Sequence, residues 1–186
     1  MSGDDAVARV IDALNSLGVA YMITGSLASN RHGIARSTKD ADFVLESVDL
    51  DLEGLSHRVG PEFKIDPQMS FEAVTGTTRY RIAVQECKFS IELFVLTGDP
   101  HDQERFRRRV PITLLGRSTW VASPEDVIVT KLRWSRQGRR TKDTDDARNV
   151  LAVQADRLDW DYIHRWCDVH GTRGLLEEVR ASIPPS

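Results

Sequence analysis

The chain has 186 residues, 40% hydrophobic and 28% charged, with a net charge of −3. This fits one domain of ordinary size, or a compact catalytic core with a small helical appendage, and excludes a disordered chain. It also excludes a whole-molecule positive field, so any contact with DNA or RNA needs a local basic patch.

Val7, Val10, Ile11, Leu14 and Leu17 recur at helical spacing before Gly18, which predicts an amphipathic helix over 5–17. The apolar run 19–24 reads as a buried strand, followed at once by a helix from Ser26 to Arg31 that Gly33 ends. A second short strand spans 41–46, and 49–59 reads as helix. Strands are expected near 62–65 and 79–85, with a turn at Thr75-Gly76-Thr77-Thr78 between them. Lys88 to Leu96 is a strong strand, Asp99-Pro100 opens a helix to about Arg109, and 110–115 with 118–122 form a hairpin around Gly116.

After residue 123 the pattern becomes all helix. Ser123-Pro124-Glu125-Asp126 combines an N-cap serine, a first-turn proline and first-turn acids, and predicts a helix to about Gln137. Further helices are expected over 141–154, 159–170 and 172–182. The predicted architecture is a mixed α/β core over 1–122, then a C-terminal helical segment over 123–186 packed on it.

Cys87 and Cys167 lie far apart and read as reduced thiols. The N-terminus carries acid where a secretory leader carries base, and no run reads as a membrane span. A cytoplasmic protein is expected. His164, Cys167 and His170 recur at three-residue steps, but a metal site needs a fourth ligand, and packing is the favoured reading.

The chemistry concentrates in three places. Strand 19–24 ends in Thr24-Gly25-Ser26 at a helix start, where exposed amides can cradle a phosphate and the serine hydroxyl adds a donor. Asp40 and Asp42 stand two apart on a strand and therefore point together, while Ala41, Phe43 and Leu45 pack inward. Paired carboxylates repel, and a hard divalent cation relieves that repulsion. Glu92 interrupts the apolar strand Ile91-Glu92-Leu93-Phe94-Val95 and is the candidate third acid, with Glu86 a weaker substitute. Each part has a bland reading: a capped helix, a polar strand entrance, an outward-facing charge.

Together these parts resemble the DNA polymerase beta-like nucleotidyltransferase superfamily, whose pattern is a Gly-Ser turn, a DxD strand and a third carboxylate strand. The block Pro124-Glu125-Asp126 through Lys131-Leu132, followed by Lys142-Asp143 and Asp146, is similar to one in AbiEii-type and related bacterial nucleotidyltransferases. The resemblance covers roughly 19–46 and 88–151. It implies catalytic and metal-binding roles for Asp40, Asp42 and Glu92. It implies nucleotide-binding roles for Gly25, Ser26, Thr38 and Lys131, with Asp143 or Asp146 supporting the site. It further implies two Mg²⁺ ions (or Mn²⁺), an NTP substrate and an acceptor hydroxyl on a small molecule, a protein or an RNA end. An antitoxin-like partner protein would accompany toxin–antitoxin membership, and no membrane is involved.

One departure stands out: the third acid is usually Asp, and here it is Glu92. Two function classes follow, an enzyme transferring NMP from an NTP, or a degenerate nucleotidyltransferase fold that binds nucleotide or a partner without turnover. A third reading, a structural helical protein, leaves the DxD pair accidental. Two basic stretches bear on nucleic acid: Lys131 to Lys142, and Arg105, Arg107, Arg108 and Arg109. Arg36 to Lys39, just before the acids, can contact phosphate or base, or form a plain loop.

Overall fold

The structure, a computed structural model, describes residues 1–46, 49–73, 76–138 and 141–184. Helix α1 (Gly3–Ser16) opens with a capping box, Ser2 and Asp5 each bonding the other's backbone amide. Its apolar stripe, Val7, Val10, Ile11 and Leu14, is buried. Strand β1 (Tyr21–Thr24) is buried throughout and runs without a loop into α2 (Gly25–His32). Then come β2 (Asp40–Leu45), α3 (Leu52–Val59), β3 (Phe63–Ile65), β4 (Ser70–Glu72), β5 (Thr77–Val84) and β6 (Phe89–Val95). Helix α4 (Pro100–Arg107) leads to the hairpin β7 (Val110–Leu114) and β8 (Arg117–Val121). Helices α5 (Pro124–Gly138), α6 (Thr141–Gln154), α7 (Trp160–Val169) and α8 (Arg173–Ala181) follow.

The strands form one mixed sheet in the order β3-β5-β6-β2-β1-β8-β7, with β4 also paired to β5. β1 runs antiparallel to β2 and parallel to β8, β2 parallel to β6, and β5 antiparallel to β6. A single apolar cluster joins α1, the sheet, α5, α6 and α7, including Ile11, Phe43, Leu93, Ile128, Val150 and Ile163. The mixed α/β class read from the sequence holds. No helix among the described residues is long and apolar enough to cross a membrane.

Three local expectations need correction. β5 begins at Thr77, so the turn placed over 75–78 is shorter, and its Thr75 lies outside the described residues. β4 escaped prediction because Ser-Phe-Glu shows no periodicity; pairing to β5 alone makes it a strand. The 105–109 arginines do not form an open basic patch. Arg105 is buried against Asp102, Arg108 lies 3.8 Å from the Tyr162 ring centroid beside Asp126, and Arg109 covers Phe106 and Trp120. Arg139 and Arg140 of the other basic stretch lie outside the described residues.

Candidate active site

Strand register assembles the site. Asp42 is the partner of Thr24 on β1 and of Glu92 on β6, and Glu92 is the partner of Arg81 on β5. Partners across a sheet share a face, so Arg81, Glu92, Asp42 and Thr24 form one row. Asp40 stands on the same face one row away, beside Ser90. The opposite face of β2 and β6 carries Ala41, Phe43, Ile91 and Leu93, all buried. The carboxylates are thus fixed by a strand whose alternate residues are anchored in the core.

Gly25 lies directly behind Asp42. Its φ of +61° is a left-handed conformation that favours glycine. A Cβ there would collide with Asp42 Oδ2 and stand 2.8 Å from Asp42 Cγ. The turn and the carboxylate therefore fit together only with glycine at this position. Ser26, in the first turn of α2, is buried and faces the same cleft.

The cleft has a volume of about 210 Å³. Asp40, Asp42, Glu72 and Glu92 line it, opposed by Arg79, Lys131 and Lys142, with the Phe94 and Trp134 rings forming apolar wall. Burial pushes the Asp42 carboxyl up to about 7, and the like charges of Asp40 and Glu92 add to this against Lys131 and Lys142. Thr38 does not line the cleft; its hydroxyl donates to Asp40 Oδ1 at 2.6 Å and orients that carboxylate.

Lys131 is 3% exposed, and its Nζ lies 2.9 Å from Asp143 Oδ1 and 2.9 Å from Asp146 Oδ2. Asp146 also receives Arg36 through Nε at 2.7 Å and Nη2 at 2.8 Å, while Arg36 Nη2 donates to Ser26 Oγ at 3.1 Å. Burial alone would raise the Asp146 pKa, but the bonds from Arg36 and Lys131 outweigh it and hold the carboxyl below its ordinary value. Neither aspartate lines the cleft; both pair with Lys131. Asn30 pins the loop carrying Arg36 by two bonds to the Arg36 backbone.

Glu92 is engaged differently from the other two acids. Its carboxylate meets Arg79 Nη1 at 3.0 Å and Arg81 Nε at 3.6 Å. Among the described residues no three acidic, histidine or cysteine side chains stand close enough together to hold a metal ion in this conformation. Asp40 and Asp42 nevertheless suit a hard divalent cation. They are paired oxygen donors on one face, and the charges of Asp40 and Glu92 beside the buried Asp42 are of the kind a cation offsets.

The structure thus brings Ser26, Asp40, Asp42, Glu92 and Lys131 to one cleft, with Gly25, Thr38, Asp143 and Asp146 supporting them. Glu86 is removed from consideration: it sits outside the cleft and pairs with the N-terminal amine of Met1 at 2.7 Å. Arg79 and Glu72 were not anticipated. Pairing 79–85 with 88–96 as a hairpin would have placed the arginines of one strand beside Glu92; nothing in the sequence pointed to Glu72.

A second polar cluster lies away from the cleft. Asp126, fully buried, accepts from Tyr162 at 2.5 Å and Ser123 at 2.8 Å and lies 3.4 Å from His101 Nε2. His101 Nδ1 meets His170 Nε2 at 3.0 Å. This network ties α4, α5 and α7 together.

No protein-family model matches the sequence, and the search of curated proteins gave no match. Solved structures do match in shape. The antibiotic-resistance factor ANT(2'')-Ia superposes with a TM-score of 0.64 at 11% identity, covering 96% of both chains. An antigenic nucleotidyltransferase-like protein from Paracoccidioides brasiliensis gives 0.56 at 18%, covering 97% of this chain and 94% of that one. JHP933 from Helicobacter pylori gives 0.55 at 17%, covering 95% and 76%. At these identities the likeness is one of fold, and the fold of this chain is that of the nucleotidyltransferases.

Proposed function

We propose that this protein is a nucleotidyltransferase that moves an NMP from an NTP to an acceptor hydroxyl. The observation that carries the reading is the row of carboxylates Asp42 and Glu92, with Asp40 beside it, facing the Gly25-Ser26 turn inside this fold. Asp40 and Asp42 would hold Mg²⁺, with Mn²⁺ as a substitute and Glu92 sharing a second ion. A divalent cation bound there supplies charge neutralisation at the phosphates and acidifies a bound hydroxyl.

The chain's own residues do the rest. The amides at the start of α2 and the Ser26 hydroxyl bind phosphate oxygens. Lys131 and Lys142 offset the charge of the departing phosphates, and Asp143 and Asp146 hold Lys131 in place. The acceptor oxygen attacks the α-phosphorus in line, the bond from that phosphorus to the α,β-bridging oxygen breaks, and pyrophosphate leaves. Glu92 takes the acceptor proton. Closeness to AbiEii-type enzymes rests on the Lys131 and Asp143 block, whose two side chains meet at 2.9 Å.

A small-molecule acceptor is the preferred class over a protein or an RNA end. ANT(2'')-Ia was solved with adenylyl-2''-tobramycin, and that likeness supports the choice. The test is pyrophosphate release from each of the four common NTPs with Mg²⁺ and a panel of polyhydroxy acceptors. Release that depends on Mg²⁺ and vanishes in Asp42→Asn is expected. Thermal melting that responds to neither Mg²⁺ nor any NTP would refute the reading.

A further inference from the structure

The two arginines that hold Glu92 are not equivalent. Arg81 is 57% exposed in its side chain, so water screens its pull at 3.6 Å. Arg79 is 19% exposed, lies 5.6 Å from the Phe94 ring centroid and lines the same cleft as Asp40, Asp42 and Lys131. Its Nε is buried and has no hydrogen-bond partner among the described residues. The Nε atoms of Arg108, Arg109 and Arg173 share this feature, but of the four arginines only Arg79 lines the cleft. A guanidinium offers Nε and Nη2 along one edge as a fork that fits phosphate oxygens; here Glu92 takes Nη1, and Nε on that other edge lacks an acceptor.

We infer that Arg79 is a nucleotide-operated latch on Glu92. This rests on the nucleotidyl-transfer reading and adds to it a phosphate-binding residue and an order of events. In the free protein Arg79 holds the Glu92 carboxylate in an ion pair, and among the described residues no three acids gather closely enough to share a cation. An entering triphosphate carries more negative charge than one carboxylate and takes the Arg79 fork. Glu92 is then released toward Asp42, its neighbour in the row, and toward the acceptor proton. The third carboxylate joins the site only when substrate is present, so the proton acceptor is assembled by the nucleotide itself. The extra methylene of Glu relative to Asp has a use here: one arm spans two positions.

The test measures Mn²⁺ binding to the nucleotide-free full chain by the electron paramagnetic resonance signal of free Mn²⁺. The proteins are wild type, Glu92→Gln, Arg79→Met, the double variant and Asp42→Asn. Glu92→Gln alone should weaken Mn²⁺ binding far less than Asp42→Asn does, because the Arg79 pair leaves only the charge of Glu92, and not its oxygens, to act on the cation. Arg79→Met should raise affinity by about ten-fold, the scale on which groups around metal ligands act. Adding Glu92→Gln to Arg79→Met should cancel the gain. Mn²⁺ binding weakened as much in Glu92→Gln alone as in Asp42→Asn would overturn the latch, and this arm needs no Arg79 variant to fold. Unchanged affinity in Arg79→Met, with binding lost in Asp42→Asn, would overturn the latch and leave the cation site standing. Mn²⁺ binding that Asp42→Asn does not weaken would remove the cation site and the latch with it.

Discussion

Replacing Asp42 with asparagine should stabilise the protein whenever divalent cations are absent. Asp42 is buried in the cleft and, secondarily, crowded by Asp40 and Glu92, which pushes its carboxyl from 3.8 up to about 7. Each pKa unit corresponds to about 1.4 kcal/mol, so the ionised group destabilises the folded state by at most about 4 kcal/mol. Water in the cleft screens part of this, leaving about 2 kcal/mol, or about 4–8 °C in melting temperature for a chain of this size. The sign follows from linkage. Between about pH 4 and pH 7 the folded state binds the Asp42 proton and the unfolded state does not, so this group's contribution to stability falls as pH rises and levels off above 7. Asparagine has no such slope. Melting curves in EDTA should therefore show the variant above wild type at pH 8, with the gap closing toward pH 4. With Mg²⁺ added, wild type should gain stability and the variant should not. A variant that melts at or below wild type at pH 8 in EDTA would refute the argument.

Three other perturbations have defined outcomes. Gly25→Ala forces a left-handed φ on a residue with a Cβ, at about 1–2 kcal/mol, and pushes that Cβ into the Asp42 carboxylate. Circular dichroism should report a folded protein with a lower melting temperature, and calorimetry should show lost Mn²⁺ binding. Lys131→Met leaves Asp143 and Asp146 buried without their shared cation, and urea unfolding should give a loss of about 3–5 kcal/mol. His170→Gln tests the cluster away from the cleft. Burial, then His101 and Arg133, depress the His170 pKa from 6.5 to about 4, so its contribution to stability is full above 6.5 and is lost as pH falls toward 4. The variant should lose less stability than wild type between pH 7 and pH 5, by at most about 2 kcal/mol, with Mn²⁺ binding unchanged.

The site was legible where chemistry and backbone period coincide. Two acids at i and i+2 on an apolar strand must share a face, and a Gly-Ser pair between strand and helix must turn sharply; both are local facts. Lys131 was legible as a residue, but the residues holding it were only half visible. Asp143 and Asp146 came from the resemblance to the nucleotidyltransferase block, whereas Arg36 reaches Asp146 across 110 positions of sequence. The state of Glu92 was legible only through pairing its strand with the preceding one as a hairpin. It depends on β5 pairing with β6, which brings Arg79 and Arg81 alongside, and no pattern within either strand states that partnership. The arginines of 105–109 misled for a related reason: their charge is visible in sequence, but the rings and acids that absorb it come from β8, α5 and α7.

The most direct measurement is a crystal soaked with Mn²⁺ and a non-hydrolysable NTP, read by anomalous scattering. A peak about 2.0–2.2 Å from carboxylate oxygens of both Asp40 and Asp42, with the phosphates against the start of α2, is the expected result. Manganese and phosphates bound elsewhere, with the cleft between Gly25 and Glu92 holding neither, would contradict it.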